Sequence, residues 1–331
     1  MLSVFRVPPE VAGQRLDLFL QAQFRRTSRT RTKAIVKLSA FDDRGKRLRP
    51  GSRVTSNQII LLWRAPWDET VVPTNVAVLY EDEHLLAVDK PAKLPVHPTA
   101  RYHKNTLIKI LQSARPKEFL SLGHRLDRET SGVLLVSKTP ACDKALKRDL
   151  EMRVGIEKIY TAITWGVPCK PGERLRVDRS LELDPESRTK VKMRIGRTED
   201  ALSATTIFRG QDATDDGAYA LVRCDLLTGR QHQIRVHLAS LGTPIVGDKL
   251  YALDEGFFIR DADGVLTEED IANLELPRHA LHATELRLAH PITRAPLAIS
   301  APLPEDLRAF WDAVKSRAAR DRDRPARAPR E

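Results

Sequence analysis

The stretch Gly123 to Thr139, GHRLDRETSGVLLVSKT, places a dense polar cluster directly before an apolar run. That order suits a reactive loop held at the edge of a rigid sheet, because the strand supplies stiffness and the loop supplies accessible functional groups. Asp127 lies between Arg125 and Arg128 in this cluster. A carboxylate so placed can act as a nucleophile or manage a proton, and it can equally form an ordinary ion pair. Two other segments set functional side chains apart from an apolar stripe. On a helix expected from Gln231 to Leu241, Ile234, Leu238 and Leu241 make one stripe and leave His232, Arg235 and Ala239 on another face. In a strand expected from Lys158 to Trp165, Ile159, Thr161, Ile163 and Trp165 alternate to one side, so Tyr160, Ala162 and Thr164 face the other.

Rival chemistries fit less well. His232 and His237 are five apart on the expected helix and diverge by about 140°, which does not suit a shared metal. Glu129 could pair with Asp127 as in a glycosidase. Cys142, Cys169 and Cys224 are too widely spaced for a disulfide framework or a metal clip, and read as reduced core thiols. The glycine patterns GxGxxG and GxxxxGKS/T are missing, which favours an activity without cofactor or metal.

The elements that must position these residues fall into two domains. The chain has 331 residues, enough for a large domain and a small one. No apolar run approaches the roughly 18 residues of a membrane span, and the start has no greasy leader, so a soluble, cytoplasmic protein is expected. Residues 1–66 carry 14 Lys/Arg against 4 Asp/Glu, and the last fifteen residues, from Arg317, carry six Arg against three acids. The remaining 250 residues have a net charge of −2 within a total of +11, so the basic character is attached to a nearly neutral body.

The first 66 residues suggest a module with helices over Arg15 to Phe24 and Thr30 to Leu38, the second burying Ala34, Ile35 and Leu38. A turn at Asp43 to Gly45 and a strand at Gln58 to Trp63 follow. Arg25, Arg26, Arg29, Arg31, Lys33 and Lys37 come without an intervening acid, which favours phosphate contact over a merely solvated face. A linker is placed at residues 67–74, where prolines and polar residues cluster. Residues 75–316 mix short strands irregularly with helices, implying an α+β domain on a mostly antiparallel sheet. The tail 317–331 has little to bury and is expected to be disordered.

HRLDRETSG matches, without a gap, the HRLDxxTSG signature of the RluA-like pseudouridine synthases. KIYTAITWG at residues 158–166 and TGRQHQIRVHLASLGTPIVGDKLY at residues 228–251 resemble further segments of that family in the same order. HLLAVDKPAKLPVHP at residues 84–98 and RHALHA at residues 278–283 agree too, so the resemblance spans about residues 75 to 303. The first module resembles the S4 RNA-binding domain in QRLDLFLQ, Ser28-Arg29 and RLRPGSRVTSNQIIL, although Leu38-Ser39-Ala40 and Arg44-Gly45 depart from that pattern.

The resemblance implies an enzyme that isomerises uridine in RNA with Asp127 as its essential carboxylate. It assigns Arg235 as the cation that keeps Asp127 ionised, and Tyr160 as a ring stacked on uracil with a phenol for proton handling. Arg125 resembles the arginine that fills the place of the flipped base, and Arg230, His232 and Gln233 shape the pocket or support the residues that do. Arg29, Arg31 and Lys33 of the S4-like module are expected to touch RNA. Such a module is typical of members acting on large-subunit, 23S-type ribosomal RNA, with tRNA the second choice. A monomer is expected. The rival from another class is a catalytically silent RNA-binding or ribosome-assembly protein, which would show damage to Asp127, Tyr160 or Arg235.

Overall fold

The computed structural model describes residues 2–24, 29–63, 69–99, 102–152 and 155–322. Arg25, Arg26, Ser28, the side chain of Arg31, the first linker residues and the tail beyond Arg322 lie outside the described residues. The chain divides into two compact units, Met1–Asp68 and Glu69–Glu331.

In the first unit, strands β1 (Leu2–Arg6), β2 (Ala40–Asp42) and β3 (Ile59–Trp63) form an antiparallel sheet in the order β1-β3-β2. Helices α1 (Leu16–Gln23) and α2 (Arg29–Ser39) precede β2. Leu16, Phe19 and Leu20 of α1 join Val36 of α2 and Ile60 and Leu62 of β3 in one buried cluster. The expected inward face of α2 is corrected: Leu38 is 74% exposed, whereas Thr32 and Val36 are fully buried. Thr32, Val36 and Ser39 follow the three-to-four spacing of one helical face, and Ser39 satisfies its hydroxyl by donating to the Ile35 carbonyl.

The second unit is built on a ten-stranded sheet. Its elements are β4 (Ala77–Glu81), β5 (Leu85–Lys90), α3 (Leu107–Ala114), β6 (Ser121–Leu122), β7 (Ser131–Ser137), α4 (Pro140–Met152), β8 (Glu157–Trp165) and β9 (Arg174–Asp178). After a two-stranded hairpin, β10 (Leu181–Leu183) and β11 (Met193–Ile195), come β12 (Thr205–Ala213), β13 (Tyr219–Leu226) and α5 (Gln233–Ser240). Helices α6 (Gly256–Asp263) and α7 (Glu268–Leu274), strands β14 (Leu281–Ala289) and β15 (Pro296–Ser300), and helix α8 (Glu305–Arg322) complete it. The sheet runs β4-β5-β7-β14-β8-β13-β12-β9, with β6 beside β7 and β15 beside β14. Among the strand pairings of the described residues only β7–β14 is parallel, so the expected α+β architecture on a mostly antiparallel sheet is what forms.

Every residue of β7 is buried, because both faces of the sheet are covered. Leu134 and Val136 pack with Leu86 and Val88 in the larger core, while Val133 and Leu135 pack with Leu85, Ala87, Cys142 and Leu146 on the other face. The period of two divides one apolar run between two cores.

Two boundaries differ from expectation. Residues 69–74 do not behave as a linker: the Glu69 carboxylate accepts from the amides of Lys104 and Asn105, and Val72 is buried in the larger core. Helix α8 continues to Arg322, past the expected start of the disordered tail. Trp311, Val314 and Ala318 keep a buried stripe, and Arg317 donates to the Tyr219 hydroxyl at 3.0 Å.

Candidate active site

The HRLDRETSG loop enters β7, and its flanking polar residues have structural partners. Thr130 Oγ1 lies 2.8 Å from His279 Nε2, and Ser131 Oγ lies 2.9 Å from His282 Nδ1. Glu129 is buried and accepts from Lys249 Nζ at 2.6 Å, while Arg128 pairs with Glu129 and Asp261 and donates to Tyr102. Glu129 is therefore part of a buried ion-pair network and does not act as a second carboxylate facing the site. Gly132, at φ +111°, allows β7 and β14 to touch; a Cβ there would stand 2.2 Å from the Ala283 carbonyl oxygen. Under the loop, the fully buried Lys90 donates to the carbonyls of Pro91, Leu94 and Arg128. Burial pushes its pKa down to about 7.

Asp127 is the polar residue of this loop that meets the distant helix α5. Arg235 Nη1 donates to Asp127 Oδ2 at 3.0 Å. The other edge of the guanidinium is clamped by Asp248, with Nε to Oδ2 at 2.7 Å and Nη2 to Oδ1 at 2.8 Å. Such a bidentate fork fixes the plane of the group as well as its charge. Asp248 also accepts from the amides of Leu250 and Tyr251, and it follows Gly247, where a Cβ would stand 2.1 Å from the Arg278 carbonyl oxygen. The Asp248 side chain is fully buried; that of Asp127 keeps 26% of its surface exposed, and no described donor reaches its Oδ1.

Burial works to raise the Asp127 pKa, and the positive groups around it, with Arg235 both facing and bonding the carboxylate, more than offset burial and leave the carboxyl below its ordinary range. Burial also pushes His232 down to about 4, so Arg235 is the buried cation facing Asp127 near neutral pH. Tyr160 is 9% exposed in the larger core, with its pKa raised by burial and by the charge of Asp127.

The structure brings together Asp127, Arg235, His232 and Tyr160. Arg125 is exposed near the carboxylate, where its charge is felt by both Asp127 and His97. Two of the residues expected to shape the pocket or support it have internal partners. Gln233 is buried, its Nε2 donating to Thr205 O and Thr206 Oγ1 and its Oε1 accepting from Thr228 Oγ1 and the Arg230 amide, so it braces the start of α5. Arg230 is half-buried and donates to the Ser203 carbonyl. Helix α5 is buried on all faces from Gln233 to Leu238, not along one stripe, because its polar side chains find internal partners. In the first unit Arg29 is not free of carboxylates: its Nε lies 3.4 Å from Asp17 Oδ2. Lys33 is half-buried on α2.

Sequence reasoning missed Asp248 and Tyr251. Both stand in GDKLY, inside the resembling stretch, but no periodicity connects them to Arg235, which lies 13 positions before Asp248.

The ten-stranded sheet thus carries a carboxylate loop that faces a clamped arginine. A family model described as RNA pseudouridylate synthase matches residues 84–240. The chain belongs to the RluA-like RNA pseudouridine synthases and is an isomerase acting on RNA. It is 35% identical to the ribosomal large subunit pseudouridine synthase D of Xanthomonas campestris, over 95% of this chain and 93% of that one. The protein of the same name from Pseudomonas aeruginosa is 33% identical, over 91% of this chain and 92% of the relative. Among solved structures, human RNA Pseudouridylate Synthase Domain Containing 4 superposes with a TM-score of 0.54 at 27% identity, covering 72% of this chain and 93% of that chain. Among the described residues no helix is long and apolar enough to cross a membrane.

Proposed function

We propose that this enzyme converts chosen uridines of large-subunit ribosomal RNA to pseudouridine, with Asp127 as the catalytic carboxylate. The observation that carries the reading is the Arg235 to Asp127 contact at 3.0 Å, made by a guanidinium whose other edge is fixed on Asp248.

In the reaction the bond from N1 of uracil to C1′ of ribose breaks, the base turns, and C5 bonds to C1′ as the C5 hydrogen leaves as a proton and N1 takes one up. Atoms and electrons balance without oxidant, metal or cofactor. Attack by a carboxylate on an electrophilic carbon and proton abstraction in an elimination route both need Asp127 ionised. Arg235 favours that condition in a site where burial works the other way and raises the pKa of the acid. Tyr160 packs against the uracil and keeps its phenol protonated, since burial and Asp127 raise its pKa. The target nucleotide leaves its stack at a cost of roughly a few kcal/mol, and exposed Arg125 braces the gap.

Large-subunit rRNA is favoured by the names of relatives matched along nearly their whole length. The first unit, read as an S4-like module, adds phosphate contacts through Lys33 and Lys37. The enzyme is read as a monomer, which light scattering would check.

The test is tritium release from RNA labelled at uridine C5, comparing unmodified ribosomal and transfer RNA. Release from rRNA that disappears with Asp127→Asn is expected. Release from tRNA alone would replace the substrate, and release from neither would leave a silent RNA-binding protein.

A further inference from the structure

We infer that Tyr251 is a positioning residue for the isomerisation: its hydroxyl holds His232 in the tautomer that presents Nε2–H toward Asp127, beside the Arg235 guanidinium. This rests on the proposed role of Asp127.

His232 sits just before α5 with φ +57°, a left-handed conformation that is uncommon for a residue with a side chain and tends to occur at functional sites. Its ring lies between two oxygens. Nδ1 is 2.7 Å from the Tyr251 hydroxyl, and Nε2 is 3.8 Å from Asp127 Oδ2. A neutral imidazole carries one ring proton, so one nitrogen donates and the other accepts. Two independent arguments place that proton on Nε2. First, the Met193 amide donates to the Tyr251 oxygen at 2.9 Å, and His232 Nδ1 is the acceptor within reach of the phenol proton among the described residues. Second, a bare Nε2 would turn a lone pair toward the Asp127 carboxylate, whereas an N–H turns a positive dipole toward it. Burial holds the pKa of His232 at about 4, so the neutral ring is the relevant species near pH 7.

At 3.8 Å the Nε2–H is an oriented dipole and not yet a hydrogen bond. It stands ready to donate when the carboxylate moves or a substrate oxygen settles against it, and catalytic contacts of this kind commonly tighten only in the complex. Tyr251 serves both groups that face Asp127. Its ring meets the His232 ring edge-on at 5.6 Å, and the Arg235 guanidinium stacks over it at 4.9 Å. Its amide donates to Asp248 Oδ1 at 3.1 Å, which ties the phenol to the carboxylate that clamps Arg235. The anchoring Met193 belongs to the β10–β11 hairpin, so three separate segments meet at this one hydroxyl.

The experiment compares the full chain with Tyr251→Phe, which keeps the ring and removes the hydroxyl. Nitrogen-15 NMR of labelled histidine, with His232→Gln to assign the signal, should show the Nε2–H tautomer in the native chain and a shifted tautomer mixture in Tyr251→Phe. In tritium release, kcat should fall by about three- to tenfold, the scale of one hydrogen bond, with KM for RNA unchanged. In a His232→Gln background, which has no tautomer to select, Tyr251→Phe should cause no further drop in kcat. An unchanged NMR signal, a loss confined to KM, or a drop that adds in full to that of His232→Gln would overturn the inference. The tautomer is read without RNA. A native chain that releases no tritium would therefore sink the proposed function, whereas an active chain with an unchanged signal would sink only the role of Tyr251.

Discussion

Asp17 in the first unit and Asp127 in the second are both aspartates held by arginine, yet they are built for different ends. Asp17 is fully buried, with Oδ1 accepting from Arg15 Nε and Oδ2 accepting from Arg15 Nη2 and Arg29 Nε. Both arginines are partly exposed, and the bond from Arg15 is the chief cause of its lowered pKa. The acid accepts from two arginines, and it removes charge from a basic surface. Around Asp127 the order is reversed: the arginine is buried and already clamped, while the aspartate keeps an exposed edge and an oxygen without a described donor. On the proposed role of Asp127, its availability for chemistry follows from a carboxylate held at one oxygen by a cation that is itself clamped on its other edge. The two regions should therefore answer perturbation differently, sharply in the buried cluster and in small additive steps on the basic surface.

Asp127→Asn is the largest expected change: turnover should fall by more than roughly 10³-fold with RNA affinity nearly unchanged, measured by tritium release and filter binding. Retained turnover would place the chemistry elsewhere. Removing the clamp comes next. Asp248→Asn leaves Arg235 buried without its bidentate partner and should cost about 3 kcal/mol in urea unfolding. The folded pKa of Asp248 is lowered: burial raises it, and Arg235 more than compensates. Its contribution to stability is thus present above the unfolded value, near about 4, and is lost as pH falls through the folded value. The variant should accordingly lose less stability than the native chain on acidification.

Arg235→Gln should move the acid limb of the kcat profile to higher pH, because burial would then raise the Asp127 pKa with less opposition. A limb that stays in place would remove Arg235 from the electrostatic account. On the surface, Lys33→Gln and Lys37→Gln should each lower the slope of log affinity against log salt by about 0.7 to 0.9, with turnover of bound RNA unaffected. An unchanged slope would separate the first unit from RNA. The smallest effect belongs to Leu38→Ala, within about 0.5 kcal/mol because the side chain is 74% exposed, against about 2 kcal/mol for the buried Val36→Ala.

That last contrast shows where sequence reading fell short. In α2 the apolar letters Ala34 and Leu38 suggested an inward face, but the sheet beneath takes Thr32 and Val36, and a short helix with few apolar residues carries too weak a pattern to phase it. Strand β12 is hard to read from sequence because its run is broken by Gly210 and a bulge between Gly210 and Asp212, so no clean alternation survives. The β10–β11 hairpin is equally hard to read because its three-residue strands are too short to show a period.

The amino-acid sequence alone established the basic first module, the long apolar strand after HRLDRETSG, the class of fold and the family resemblance that singled out Asp127, Tyr160 and Arg235. These are properties of contiguous letters, since periodicity and motif spacing are local. Only the tertiary structure decided that Arg235 is clamped by Asp248, that Glu129 and Gln233 are spent on internal partners, and that Tyr251 stands behind His232. Those outcomes depend on which donor meets which acceptor across 13 to 120 positions of chain, and hydrogen bonding in a buried site is settled by folded geometry that no local pattern encodes.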